Sequence, residues 1–361
     1  MGDLLRMLTT QALEAALAHE TDAQTAITSV VDKNFEDGNI PAPREDSFTT
    51  GLLNRLGGYG FIQPYLDNDE IEEIWINEPG VVWFAKNGRH QRSALNFDSK
   101  ELESVIERMI RTSGRRLDRS SPFIDAQLEN GFRFHAVVPD ITRRDVSINI
   151  RKFRNQTLTL ADMVASGVLS NKESDYLVTR LRGGANLIIS GATQSGKTTL
   201  LSALLNSLDP YERVVSVEDT FELRCTLPDW VAMQTRPASI EGKFEVDLRR
   251  LVRESLRMRP TRLVVGEVRG AEALDLLIAM NSGIPSLCTI HANSAKDALS
   301  KLRTLPLLAG NNITIGFLDA IISTSLNLIV HCVRTVDGQR RISSVMEIDS
   351  SNGLEIRDFS A

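Results

Sequence analysis

The sequence predicts an α/β protein of two domains, on three observations. Its 361 residues exceed the usual span of a single domain. From residue 167 onward, short apolar runs alternate with helical stretches, the pattern of a mostly parallel sheet covered on both faces. Within that alternation the string GATQSGKT, residues 191–198, follows an apolar strand and opens a helix, which is the setting a phosphate-binding P-loop requires.

Taken in order, residues 1–58 predict a helical segment, with Leu4, Leu5, Leu8, Leu13 and Leu17 at helical spacing, then a flexible connector around Pro41 and Pro43. Residues 59–154 predict a smaller N-terminal α/β domain. In it IEEIWINEPG and VVWFAKNGRH read as two strands separated by Asn77, Pro79 and Gly80, and FRFHAVV and VSINIRKF as two more. Between them Leu102, Val105, Ile106, Met109 and Ile110 form one buried helical stripe. Residues 155–166 predict a linker leading into a helix. Residues 167–361 hold the larger domain, with strands expected at 187–190, 214–217, 263–265 and 286–290 and a closing hairpin around Asp337 and Gly338.

Composition narrows the class. Apolar content of 42% with 24% charged residues suits a soluble globular chain, and the apolar runs fall short of the roughly 20 residues that span a bilayer. The N-terminus lacks a basic region followed by a continuous apolar stretch, and Arg6 interrupts a myristoylation pattern, so the expected location is cytoplasmic. Cys225, Cys288 and Cys332 have neither paired nor zinc-ligand spacing and read as small apolar residues. A net charge of −6 gives no general affinity for nucleic acid.

The glycines of G-x-x-x-x-G-K-[ST] let backbone wrap a phosphate, with the amides after Gly191 forming an anion nest at a helix N-terminus. Lys197 supplies a point charge to the β- and γ-phosphates, and Thr198 can hold Mg2+. Three further segments place polar residues just past apolar strands: Glu267 in VVGEVRG, Glu218 with Asp219 and Glu222 in SVEDTFEL, and His291 in CTIHANS. Ligands of open α/β sheets gather outside the carboxyl ends of the strands, which favours a functional reading of all three over a structural one. Which carboxylate meets the attacking water is left open by the residues alone. His19, His90, His135 and His331 have no such setting and receive no role. Two arginine clusters remain: Arg133, Arg143, Arg144, Arg151 and Arg154, and Arg249, Arg250, Arg253, Arg257 and Arg259. Most are expected to be solvated or salt-bridged, with one or two per cluster serving a transferred phosphoryl group.

These segments together resemble the type II/type IV secretion ATPases, most closely the CpaF-like branch that assembles tight-adherence (Tad) pili. GATQSGKTTL is similar to the family's Walker A, VVSVEDTFEL to its aspartate box, RLVRESLRMRPTRLVVGEVRGAEALDLL to its Walker B block and CTIHANSAKDALSKL to its histidine box. EIWINEPG, GRRLDRSSPFIDAQL and INIRKF are similar to its N-terminal domain, so the resemblance runs from about residue 62 to 346. It implies a RecA-like P-loop core with a smaller PAS-like domain. It also implies ATP and Mg2+ as cofactors, a homo-hexameric ring, and an inner-membrane platform protein as partner. The motor would extend or retract a filament, or feed a secretion channel, with membrane association through partners and no specific nucleic acid.

By the same resemblance Gly191, Ala192, Thr193, Gln194, Ser195, Gly196, Lys197, Thr198 and Thr199 hold the nucleotide, and Thr198 and, through water, Glu267 hold Mg2+. Glu218 and Glu267 carry over as catalytic carboxylates, His291 as phosphate sensor, and Arg133 and Arg151 as charge donors. Two departures stand out: Thr261 follows Pro260 where the family has Asp, which leaves more to Glu267, and the paired-cysteine zinc insertion of the type II branch is absent. Two other functions remain compatible with a P-loop ring: a nucleic-acid translocase, and a nucleotide-gated scaffold with little turnover.

Overall fold

The computed structural model describes residues 2–19, 23–37, 39–40, 49, 52, 54, 58–86, 88–111, 115–152, 158–238, 243–349 and 355–359. The chain divides into two units, Met1–Arg154 and Asn155–Ala361.

The first unit begins with two helices, α1 (Gly2–His19) and α2 (Ala23–Glu36), where the sequence predicts one. They share a small core of Leu8, Ala12, Ile27, Val30 and Val31, joined by Ile40 and Leu52. The second helix is illegible because its apolar stripe is short and interrupted by Thr, Ser and Asp. Asn34 is buried in this core and hydrogen-bonds Gln11 and the Val30 carbonyl, so its polar head is satisfied. The predicted connector around Pro41 and Pro43 lies outside the described residues.

After a short helix α3 (Gln63–Asp67) comes a six-stranded antiparallel sheet of β1 (Ile71–Ile76), β2 (Val81–Lys86), β3 (Arg89–Ala94), β4 (Phe123–Gln127), β5 (Arg133–Val137) and β6 (Ser147–Arg151), in the order β3-β2-β1-β6-β5-β4. The segment VVWFAKNGRH is thus two strands, not one: the chain reverses at Gly88, whose φ of 71° a glycine adopts without strain. One face of the sheet carries Ile74, Ile76, Phe134, Ala136, Ile148 and Ile150 into a core with α4 (Ser99–Ile110). Asp98 caps that helix by accepting from the Glu101 amide. The opposite face bears half-buried residues, including Arg133, His135, Asn149 and Arg151.

In the second unit the stretch expected to act as a linker contains a formed helix, α5 (Leu160–Ala165). Its start is fixed by a capping box in which Thr159 and Asp162 satisfy each other's backbone amides. Ser170 and Glu173 repeat the device at α6 (Asn171–Arg182). The strands are β7 (Leu187–Gly191), β8 (Val214–Glu218), β9 (Trp230–Gln234), β10 (Arg262–Val268), β11 (Ser286–His291), β12 (Leu328–Arg334), β13 (Arg340–Asp349) and β14 (Glu355–Asp358). They form one sheet ordered β14-β13-β12-β7-β11-β10-β8-β9, parallel from β12 through β9 and antiparallel at the β12–β13–β14 edge.

Both faces of this sheet are covered, which is why β7 and the first four residues of β8, Val214–Val217, are apolar or small. Ile188, Val217, Leu263, Val265, Cys288 and Ile290 pack against α8 (Leu248–Ser255), α9 (Glu272–Asn281), α10 (Ala295–Thr304) and α11 (Ile315–Ser325). Their neighbours Leu187, Ile189, Val214, Val264 and Leu287 pack against α5, α6 and α7 (Lys197–Leu205) on the other side. Each such side chain contributes about 1.5–3 kcal/mol through burial, so the two helical layers fix strand order and bring four strand ends side by side. No helix among the described residues is long and apolar enough to cross a membrane.

Candidate functional site

The P-loop leaves β7 at Gly191, where a Cβ would stand 2.3 Å from the Cys332 carbonyl oxygen and 2.5 Å from Ser195 Oγ, so glycine is required by close approach. Gly196 takes φ 95° and N-caps α7 without a side chain over the first amides, leaving that helix end to an anion. Gln194 sits at φ 62°, a left-handed conformation unusual for a residue with a side chain. Ala192 and Thr193 are exposed along the loop, and Thr198 and Thr199 lie half-buried in the first turn of α7. Ser195 Oγ is buried with no hydrogen-bond partner.

Lys197 is buried and folds over its own loop, donating to the Gly191 carbonyl at 3.1 Å, the Ala192 carbonyl at 2.9 Å and His291 Nδ1 at 3.3 Å. An ammonium can only donate, so Nδ1 accepts and the ring proton stays on Nε2. Burial first, then the neighbouring Lys197 charge, holds His291 below the usual histidine range, and the ring is neutral near pH 7. Its Nε2 lies 2.6 Å from Glu267 Oε1, an approach whose angle falls outside hydrogen-bond geometry. The Lys301 ammonium donates to the His291 carbonyl at 2.7 Å and steadies the backbone there.

Glu267 also pairs with Arg269, whose guanidinium reaches Asp219 at 3.4 Å and so joins the ends of β10 and β8. Glu218 is 2% exposed. Its Oε1 accepts from the amides of Glu222 and Leu223, each at 2.9 Å, while Oε2 is buried without a partner. Burial pushes its pKa up to about 7 despite those two amides. The side chain lies across β10 at Gly266, where a Cβ would come within 2.7 Å of Glu218 Cγ; glycine at 266 is what lets the carboxylate lie there.

The strand ends therefore bring together Lys197, His291, Glu267 and, through Arg269, Asp219, with Glu218 beside Gly266. Sequence reasoning missed Arg269 and Lys301; the spacing of Arg269 two residues past Glu267, on the same strand end, was the available signal. His331, given no role from sequence, is buried with Nδ1 2.8 Å from Ser190 Oγ, directly before the P-loop. Of the second arginine cluster, Arg249 and Arg253 grip the buried Asp275 at 2.7 and 2.8 Å and tie α8 to α9, while Arg250, Arg257 and Arg259 are exposed. Of the first, Arg143 and Arg144 are exposed and Arg154 lies outside the described residues. Arg133 and Arg151 face each other directly across β5 and β6, and the nearest carboxylate to Arg133, Asp125, is 3.9 Å away. Carboxylates flank the pair: Asp125 lies beside Arg133, and Glu73 stands opposite Arg151 on β1.

A hydroxyl in the first turn of α7, with Glu267 among the residues gathered at the strand ends, suits Mg2+, which keeps waters and phosphate oxygens as most of its ligands. Among the described residues no group of three or more His, Cys, Asp or Glu could hold a metal by itself.

Residues 56–355 match the family model described as Type II/IV secretion system protein. A putative conjugal transfer protein of Mycobacterium tuberculosis is 34% identical over 310 residues, which are 84% of this chain and 88% of that one. The type IV secretion system protein PtlH of Bordetella pertussis is 30% identical over 321 residues, 81% of this chain and 94% of its own. Among solved structures the fold is similar to the Legionella pneumophila ATPase DotB, with TM-score 0.59 and 20% identity over 80% of this chain and 81% of that one. It is also similar to the pilus retraction motor PilT with bound ADP, with TM-score 0.56 and 14% identity over 82% and 80%. At those identities the likeness is one of fold.

Proposed function

We propose, from the premise that this chain belongs to the type II/IV secretion system protein family and is an ATPase of it, that it is the hexameric motor of a pilus or secretion machine. It would work at the cytoplasmic face of the inner membrane through a platform protein, and the CpaF-like motifs favour a Tad-type pilus. The observation that carries this reading is the convergence on one P-loop of Lys197, His291 and Glu267 from three adjacent strands.

In this reading the amides after Gly191 and the Lys197 ammonium bind the β- and γ-phosphates of ATP, a task for which the ammonium is already aimed across the loop. Bound Mg2+ would be held by Thr198 and, through water, Glu267, and would neutralise phosphate charge. Glu218 acts as general base: a carboxyl near pH 7 in affinity can take a proton from water and release it again. His291, neutral and wedged between Lys197 and Glu267, is the element whose contacts change when the γ-phosphate leaves. Arg133 and Arg151 are the charge donors of this reading, as the family resemblance implies.

The test is phosphate release by purified Lys197→Ala and Glu267→Gln chains. Hydrolysis at the wild-type rate in both would sink the motor reading, and a wild-type chain that remains monomeric with ATP would remove the ring.

A further inference from the structure

The tip of the β12–β13 hairpin reaches back to the P-loop. Arg334 and Arg340 are the last cross-strand pair before the turn, closed by Thr335 and Gln339, and Gly338 takes φ 87° there. Arg334 Nη1 donates to Gln194 Oε1 at 2.7 Å, and Arg340 Nε donates to the Gln194 carbonyl at 3.0 Å. The Arg340 side chain also covers Gly196, since a Cβ at that glycine would lie 3.3 Å from Arg340 Cδ. The residue gripped from both sides is the one P-loop position where a side chain sits in the left-handed region, Gln194 at φ 62°.

We propose that Arg334 and Arg340 are positioning residues for nucleotide binding: they clamp Gln194 in its left-handed conformation and so hold the loop amides and Gly196 in the phosphate-binding curve. A left-handed conformation is unfavourable for any residue with a Cβ, and two charge-assisted hydrogen bonds to the same residue, one to its side-chain amide and one to its backbone, offset that. The hairpin is also well placed to hold the loop. β12 pairs with β7 up to Cys332 opposite Gly191, so the base of the loop is fixed by the ladder and its crest by the arginines two and eight residues further on. Two opposed arginines would repel, and the two Gln194 oxygens give each an acceptor of its own.

The clamp rests on the nucleotide-site reading above, and the experiment separates the two. Each purified chain is titrated with the fluorescent nucleotide N-methylanthraniloyl-ADP, and KM and kcat are measured for ATP. The double variant Arg334→Ala/Arg340→Ala should bind the analogue about tenfold more weakly, with KM rising more than kcat falls. In a Gln194→Gly background, where the left-handed conformation carries no penalty, the same pair of changes should cost less than about threefold. Equal losses in both backgrounds would overturn the clamp, because the arginines would then act on nucleotide or on the fold as a whole. So would no loss in either. Thermal melting of all four chains identifies a variant that fails to fold, and Arg340→Lys, which keeps a donor, should recover part of the affinity. Failure of the wild-type chain to bind the analogue would strike at the nucleotide site itself, and the clamp with it.

Discussion

Every residue of β7 and β8 is buried, whereas β5 and β6 alternate half-buried and buried positions. The parallel sheet of the second unit, covered on both faces, has only its strand ends to offer a ligand, and there Lys197 and Glu218 are buried while Glu267, His291 and Arg269 constrain one another. Glu218 illustrates the result: 2% exposed, with one oxygen unpartnered and its affinity for a proton raised. The antiparallel sheet of the first unit has a whole face left for polar side chains, so Arg133 and Arg151 stand half-buried on their strands. Chemistry placed at strand ends should therefore be all-or-none, and charge placed on a sheet face should be adjustable.

The strongest test of that contrast is Lys197→Ala, expected to lower steady-state ATP hydrolysis by about 10²–10³-fold, as loss of a donor aimed at developing charge does elsewhere. A loss under tenfold would break the comparison. Next is Glu218→Gln, expected to lower turnover about 10²-fold by removing the proposed general base. In the wild type the rate should rise with pH through about 7 as Glu218 deprotonates, and Glu218→Gln should flatten that limb.

The same carboxyl makes a stability prediction of opposite sign. Its folded pKa of about 7 lies above the ordinary glutamate value of 4.5, so between those values the folded chain keeps a proton the unfolded chain has released. Stability should fall across that window as pH rises, by up to about 3 kcal/mol, and Glu218→Gln should remove the fall in urea titrations at several pH values.

Gly266→Ala probes the same site without touching a charge. Its Cβ would stand 2.7 Å from Glu218 Cγ, and overpacking of that kind costs about 1–3 kcal/mol. Turnover should drop more than nucleotide affinity, which separates displacement of Glu218 from damage to the P-loop. The smallest effect is expected on the open sheet. Arg133→Ala removes both the opposition to Arg151 and the 3.9 Å ion pair with Asp125, so thermal stability should change by no more than roughly a few tenths of a kcal/mol, while hydrolysis falls about tenfold. If stability drops by more than about 1 kcal/mol, the arginine is a structural residue and its face is no more tolerant than the strand ends.

Much of the site is legible in the amino-acid sequence. The P-loop declares itself by glycine spacing between a strand and a helix, and Glu218, Glu267 and His291 by following apolar runs. Residues that hold the site in place are harder to see. Arg269, Lys301, Arg334 and Arg340 lie on segments whose pattern reads as ordinary surface charge, and α2 and β3 escape notice because their apolar stripes are weak or lacking.

Sequence alone determined which residues could do the chemistry, because strand, loop and helix are encoded by local periodicity and by glycines that only one backbone shape needs. Tertiary structure decided which of them meet. Lys197 reaches His291 across 94 positions and Arg334 reaches Gln194 across 140, and both contacts depend on β7 lying between β11 and β12. Strand order follows from how two helical layers bury opposite faces of one sheet, a property of the whole unit that no short stretch of sequence contains.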